Sequence, residues 1–171
     1  MRIESSSASV PDKRLSELYL RRARNELNLS VMVMKISEDP KLQMGLFSMP
    51  YEDTYFSAVI SHAYYCIFYA AKSYLLIKGV KTKPPEEHRK TYEAIERLAK
   101  EGVIDIDLLK AYRELMIRAE TLLKIFEDEK EKRGRFTYRT IPQANKLPAV
   151  DSVGHARFFL SHMAALAGES G

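Results

Sequence analysis

The sequence predicts an all-α fold, an up-and-down bundle of about five helices. Three observations predict it. Apolar residues recur by threes and fours along several long segments, Gly and Pro gather between those segments, and no stretch alternates in polarity as a strand does. The most informative segment is Tyr55–Gly79, YFSAVISHAYYCIFYAAKSYLLIKG, which has no Pro or Gly before its end. A helix apolar around most of its circumference belongs at the centre of a bundle, touched on several sides. Ala58, Ala63, Ala70 and Ala71 are small enough to let neighbours come close.

The first helix is expected to open at Pro11 or Asp12, with Leu15, Leu18, Tyr19, Ala23, Leu27, Val31 and Met34 facing inward. Its polar side carries Lys13, Arg14, Arg21, Arg22 and Arg24. Pro40, Gly45 and Pro50 then mark a loop, and Asp53 or Thr54 can cap the central helix. The stretch KTKPPEEH is a turn and then the start of a third, short helix, with Pro85 at its first position, Glu86 and Glu87 at the positive dipole end, and Tyr92, Ile95, Leu98 and Ala99 buried. Asp105 or Asp107 caps the fourth helix, whose seam is Leu108, Tyr112, Leu115, Ala119, Leu122 and Phe126, widened by Leu109, Met116 and Leu123. After the loop RTIPQANKLPAVDS, where Pro142 and Pro148 oppose regular structure, Asp151 or Ser152 caps a last helix. Its inward residues are Val153, Ala156, Leu160, Met163 and Ala167.

A chain of 171 residues, 46% hydrophobic and 29% charged, suits a single globular domain at 12–168 behind a flexible tail at 1–11. The polar start MRIESSSASV is no export signal. The central segment is long enough to span a bilayer, but Ser57, Ser61, His62, Lys72 and Ser73 argue against it, so no membrane is expected and the cytoplasm is the expected compartment. Cys66 is the only cysteine, which excludes an internal disulfide and a cysteine zinc cluster, and its apolar setting reads as a small buried hydrophobe. A net charge of +4 permits a phosphate-bearing partner without requiring one.

The motifs of several enzyme classes are missing, among them Glu-x-x-His, His-Glu-x-x-His, phosphate-binding Gly loops and the Gly-x-Ser-x-Gly elbow. His155 and His162 stand two helical turns apart, about 10.5 Å, too far to share a metal. No metal or cofactor is expected. His62 reads first as a satisfied core or interface histidine. One cluster carries chemistry: Lys130, Lys132, Arg133, Arg135 and Arg139 beside Phe136 and Tyr138. Basic side chains reach phosphates and interleaved rings stack on bases. Glu129 and Glu131 favour instead a solvated helix end, the stronger reading on composition alone; RGRFTYR, free of acids, keeps the other open.

The run His62-Ala63-Tyr64-Tyr65-Cys66-Ile67-Phe68-Tyr69-Ala70-Ala71-Lys72, with Leu75, Leu76 and Gly79 after it, resembles the signature helix of HEPN domains. Lys81-Thr82-Lys83 leading to His88 resembles the family's Lys-Thr-His stretch, and Arg133-Gly-Arg-Phe-Thr-Tyr138 its Arg-x-x-x-Asp-Tyr ending. The resemblance covers roughly residues 12 to 168. It implies a helical bundle that pairs as a symmetric homodimer, in a family of metal-independent RNases, nucleotide-binding and non-catalytic members. Many are toxins neutralised by a nucleotidyltransferase-type antitoxin. RNase members carry an Arg followed four to six residues later by a His. Here Tyr138 occupies the His position, and Tyr69 stands where many members have a His in the central helix. A phenol with a pKa near 10 is poorly placed to move protons at neutrality. The resemblance therefore implies nucleotide or RNA binding at Arg133, Arg135, Tyr138 and Arg139 without cleavage, supported by Lys72, His62 and His155. One alternative is a ribonuclease using His155 or His62 with Arg133. The other is a non-catalytic dimeric scaffold.

Overall fold

The computed structural model describes residues 9–48, 54–132 and 146–168, without the side chains of Pro11 and of 125–132. Six helices account for nearly all of them: α1 (Val10–Glu38), α2 (Pro40–Phe47), α3 (Phe56–Ile77), α4 (Glu87–Lys100), α5 (Ile106–Lys132) and α6 (Lys146–Leu166). The described residues contain no strand. The expected all-α bundle is what forms, with α3 at its centre and α1, α4, α5 and α6 packed around it.

Helix boundaries follow local chemistry. Ser9, not Pro11 or Asp12, caps α1 by accepting from the Asp12 amide, which moves the start forward. The loop expected around Pro40 contains a helix of its own. The Asp39 carboxylate accepts from the Lys41 and Leu42 amides, and Pro40 takes the first helical position, where its missing N–H costs nothing. Of the caps expected for α3, Asp53 lies outside the described residues and Thr54 is passed over; Tyr55 stands there without a side-chain cap. Helix α4 starts at Glu87, two residues later than expected, behind Glu86 in the left-handed region (φ 59°). Asp105 caps α5 through its carboxylate and the Asp107 amide at 2.8 Å. Pro148 does not keep residues 146–150 out of the helix. It sits within the first turn of α6, which tolerates proline, and its carbonyl accepts from Ser152 Oγ at 2.6 Å.

The core joins Ile67, Ala70, Ala71, Tyr74 and Leu75 of α3 to Ile95 and Leu98 of α4, Leu108, Tyr112 and Leu115 of α5, and Ala156, Phe159 and Met163 of α6. The faces expected for α4 and for α5 from Leu108 to Leu122 are buried as read except at Met116, which is half-buried; Leu123 is 63% exposed and Phe126 lies outside the described side chains. Helix α1 departs more. Ser16, Leu20, Ala23, Glu26, Ser30 and Met34 face α3 and are buried, while Leu15 and Leu18, expected inside, are exposed. Hydrogen bonds account for the rotation. Ser16 Oγ donates to the Ser73 carbonyl (3.0 Å), Ser73 Oγ returns to the Ser16 carbonyl (2.9 Å), and Ser30 Oγ donates to the Val59 carbonyl (2.9 Å). These bonds run down two antiparallel helices and satisfy buried polar groups that an apolar reading leaves out.

Candidate functional site

Residues 133–145 lie outside the described structure, so Arg133, Arg135, Tyr138 and Arg139 are reached only through the helix that precedes them. Helix α5 ends at Lys132. His155, on α6, lies beside Glu114 of α5, its Nδ1 3.5 Å from the carboxylate but outside hydrogen-bond geometry. From Glu114 to Lys132 the helix rises about 27 Å. His155 is therefore held well away from the point where the arginine-rich segment leaves α5.

The other supporting residues are also committed. Glu26 is buried at 3% exposure and accepts from His62 Nδ1 at 2.7 Å and from Arg22 Nη2 at 2.8 Å. His62 thus faces α1, whereas His155 faces α5, and the two do not meet. Lys72 is buried against Glu87, with its ammonium 4.3 Å from the centroid of Tyr19 and 5.6 Å from that of Phe68. Burial alone pulls the Lys72 ammonium down, but hydrogen bonds to Glu87 and Tyr19 outweigh it and leave the pKa raised. Lys72 stays charged and neutralised, which suits a structural ion pair better than a free phosphate ligand.

The side chains that gather around this lysine were not singled out by pattern alone. A cleft of about 140 Å³ between α1, α3 and α4 is lined by Leu15, Tyr19, Lys72, Lys81, Thr82 and Glu87. Along its margin Tyr19 and Tyr69 lie 6.0 Å apart, Tyr69 and Tyr65 6.3 Å apart, and His88 stacks on Phe68 at 3.9 Å and 16°. His88 Nδ1 sits 2.8 Å from Tyr64 Oη. Burial raises the Tyr64 pKa, so the phenol keeps its proton, and burial lowers that of His88, so the ring favours its neutral form. Cys66, whose thiol burial pushes up to about 12, is inert as a nucleophile. Among the described residues no group of His, Cys, Asp and Glu is placed to hold a metal ion, and no helix is long and apolar enough to cross a membrane.

The signals for these residues were partial. Glu26 was visible as an acid between Ala23 and Leu27, but its partner lies on another helix. The tyrosines of α3 were visible as an aromatic run, yet which of them faced outward depended on where α1 and α4 settled.

A family comparison now bears on this arrangement. The HEPN domain matches residues 49–138, just over half of the chain, spanning α3, α4 and α5 and continuing to Tyr138. This chain belongs to the HEPN domain family. No curated protein matches it. The HEPN match leaves α1, α2 and α6 outside, so the long helix that packs most extensively on α3 lies beyond the matched region.

Proposed function

We propose that this HEPN protein pairs as a homodimer in the cytoplasm and holds nucleotide or RNA phosphate through Arg133, Arg135, Tyr138 and Arg139 without cutting it. Its partner is a nucleotidyltransferase-type protein. The observation that supports the absence of cleavage is where the histidines go. His62 is engaged by Glu26, His88 by Tyr64, and His162 Nδ1 by the Phe158 carbonyl at 2.8 Å; His155 stands about 27 Å up α5 from Lys132. With Tyr138 in the position of the family's histidine, guanidinium groups remain to bind phosphate but no neutral imidazole is offered to move a proton. Arginine forks recognise phosphate oxygens in pairs, and neighbouring rings stack on bases.

Titration of labelled single-stranded RNA and of ATP at low and high salt tests the reading. Binding should weaken steeply with salt and fall at least tenfold in Arg133→Ala/Arg135→Ala. No binding to either ligand at low salt would discard the site. RNA cleaved in EDTA, with cleavage lost in Arg133→Ala, would replace binding with catalysis.

A further inference from the structure

A buried charge lies at the floor of the cleft between α1, α3 and α4. Lys72 is 7% exposed, and Leu76, one turn along α3, is 4% exposed. Leu15 and Tyr19 of α1 make one wall and the segment Val80–Lys83 the other, with Glu87 at the start of α4 closing the end. Bonds within the chain fix these walls. The Val80 amide donates to the Leu75 carbonyl (2.8 Å), Lys81 pairs with Asp12 (2.7 Å), and Lys90 Nζ donates to the Lys83 carbonyl (3.4 Å). The Thr91 hydroxyl donates to the Glu87 carbonyl (2.7 Å), so that of Thr82 donates to Thr91 (2.9 Å) and ties the segment to α4.

The cleft is polar at one end and apolar at the other. At the polar end the Lys72 ammonium donates to Glu87 and lies 4.3 Å from the Tyr19 ring centroid. An ammonium carries three N–H groups. Glu87 and the Tyr19 hydroxyl take two of them, and the third has no acceptor among the described residues. Glu87 neutralises Lys72 and Asp12 neutralises Lys81, whereas Lys83 has no ion pair among the described residues. The cleft is left with one positive charge in excess. At the other end Leu15, Leu76 and Val80 present only aliphatic surface.

We propose that this cleft binds the anion of a small aliphatic carboxylic acid, its carboxylate on Lys83 and the third Lys72 N–H, its chain against Leu15, Leu76 and Val80. Size narrows the class. A cavity of about 140 Å³ matches one that holds a single benzene ring, so an acid of about four to six carbons fills it and a whole nucleotide does not enter. Chemistry narrows it further. Inorganic phosphate would meet Lys83 but leave the aliphatic end uncovered, and a neutral alcohol would cover that end but leave Lys83 without a counter-charge. Apolar walls with a few placed polar groups are the ordinary make-up of a small-molecule site. The site is separate from the arginine segment and stands whether or not that segment binds phosphate.

Titration of the full chain with pentanoate, followed by methyl NMR and by thermal unfolding, tests the assignment. The methyl resonances of Leu15, Leu76 and Val80 should shift and saturate with a dissociation constant on the order of 1 mM, the range open to so small a ligand. The melting temperature should rise with pentanoate concentration, because the acid binds only the folded chain. Acetate and 1-pentanol should each bind about tenfold more weakly, one lacking the chain and the other the charge. Lys83→Ala and Leu15→Ser, both at exposed positions, should keep the parent's helical circular dichroism. The first should weaken pentanoate about tenfold and leave 1-pentanol unchanged, while the second should weaken pentanoate and leave acetate unchanged. Arg133→Ala/Arg135→Ala should leave pentanoate binding intact, so failure here and failure of the phosphate site are told apart. Shifts that never saturate, equal affinity for 1-pentanol, or a Lys83→Ala variant that binds like the parent would overturn the site. Displacement of pentanoate by ATP would give the cleft to nucleotides and overturn it as well.

Discussion

On its α1 side, helix α3 is stitched by polar groups: Ser16 to Ser73, Ser30 to the Val59 carbonyl, and Glu26 to His62. On its other side Ile67 enters a cluster with Tyr112, Leu115 and Phe159, where the rings of Tyr112 and Phe159 meet edge to face at 5.6 Å and the Tyr112 hydroxyl has no hydrogen-bond partner among the described residues. The two interfaces divide the labour. Apolar burial is non-directional and supplies most of the stabilisation, whereas hydrogen bonds across a helix pair fix rotation and level. The polar side is what turns Leu15 and Leu18 outward, so its small energies decide which surface the protein displays.

The largest test of that contrast is Phe159→Ala, which deletes a fully buried ring and should cost about 3–5 kcal/mol in urea unfolding. A loss below about 1 kcal/mol would mean that the α5–α6 side is not the main source of stability. Glu26→Ala should cost less, about 1–3 kcal/mol, because it removes the acceptor shared by His62 and Arg22. Glu26→Leu/His62→Leu should recover most of that loss, since an apolar pair of similar size avoids desolvating charge. The smallest effect concerns pH. Burial is the main cause of the lowered His88 pKa, with Glu87 opposing and Lys72 reinforcing it. The unfolded chain therefore binds that proton first, so the stability held by neutral His88 is complete above an unfolded pKa of about 6.5 and declines as pH falls toward the folded value. Unfolding of the parent and of His88→Phe, compared at pH 7.5 and pH 5.5, should show the parent losing more on acidification.

How much of this was legible in the sequence depended on whether a signal was local. Helix α3 could be read as central because its apolar residues surround it, and the stripe of α5 from Leu108 to Leu122 because it repeats for four turns. The proline signals misled at Pro40 and Pro148, since proline breaks a helix interior but is at home in a first turn. The inward face of α1 was misread for another reason. Serines and a glutamate were discounted as core residues, although Ser16, Ser30 and Glu26 are buried through partners 57, 29 and 36 residues away. The arginine cluster was conspicuous as composition, while the aromatic margin of Tyr19, Tyr65 and Tyr69 needed two helices to come together before it existed.

Helix α5 continues past Leu122, its last side chain in the described core, by a rise of about 15 Å to Lys132. That geometry works as a lever. A tilt of about ten degrees at Leu122 sweeps the tip by roughly 3 Å, close to the length of one hydrogen bond, so small adjustments in packing at the base become full contacts made or lost where the arginines begin.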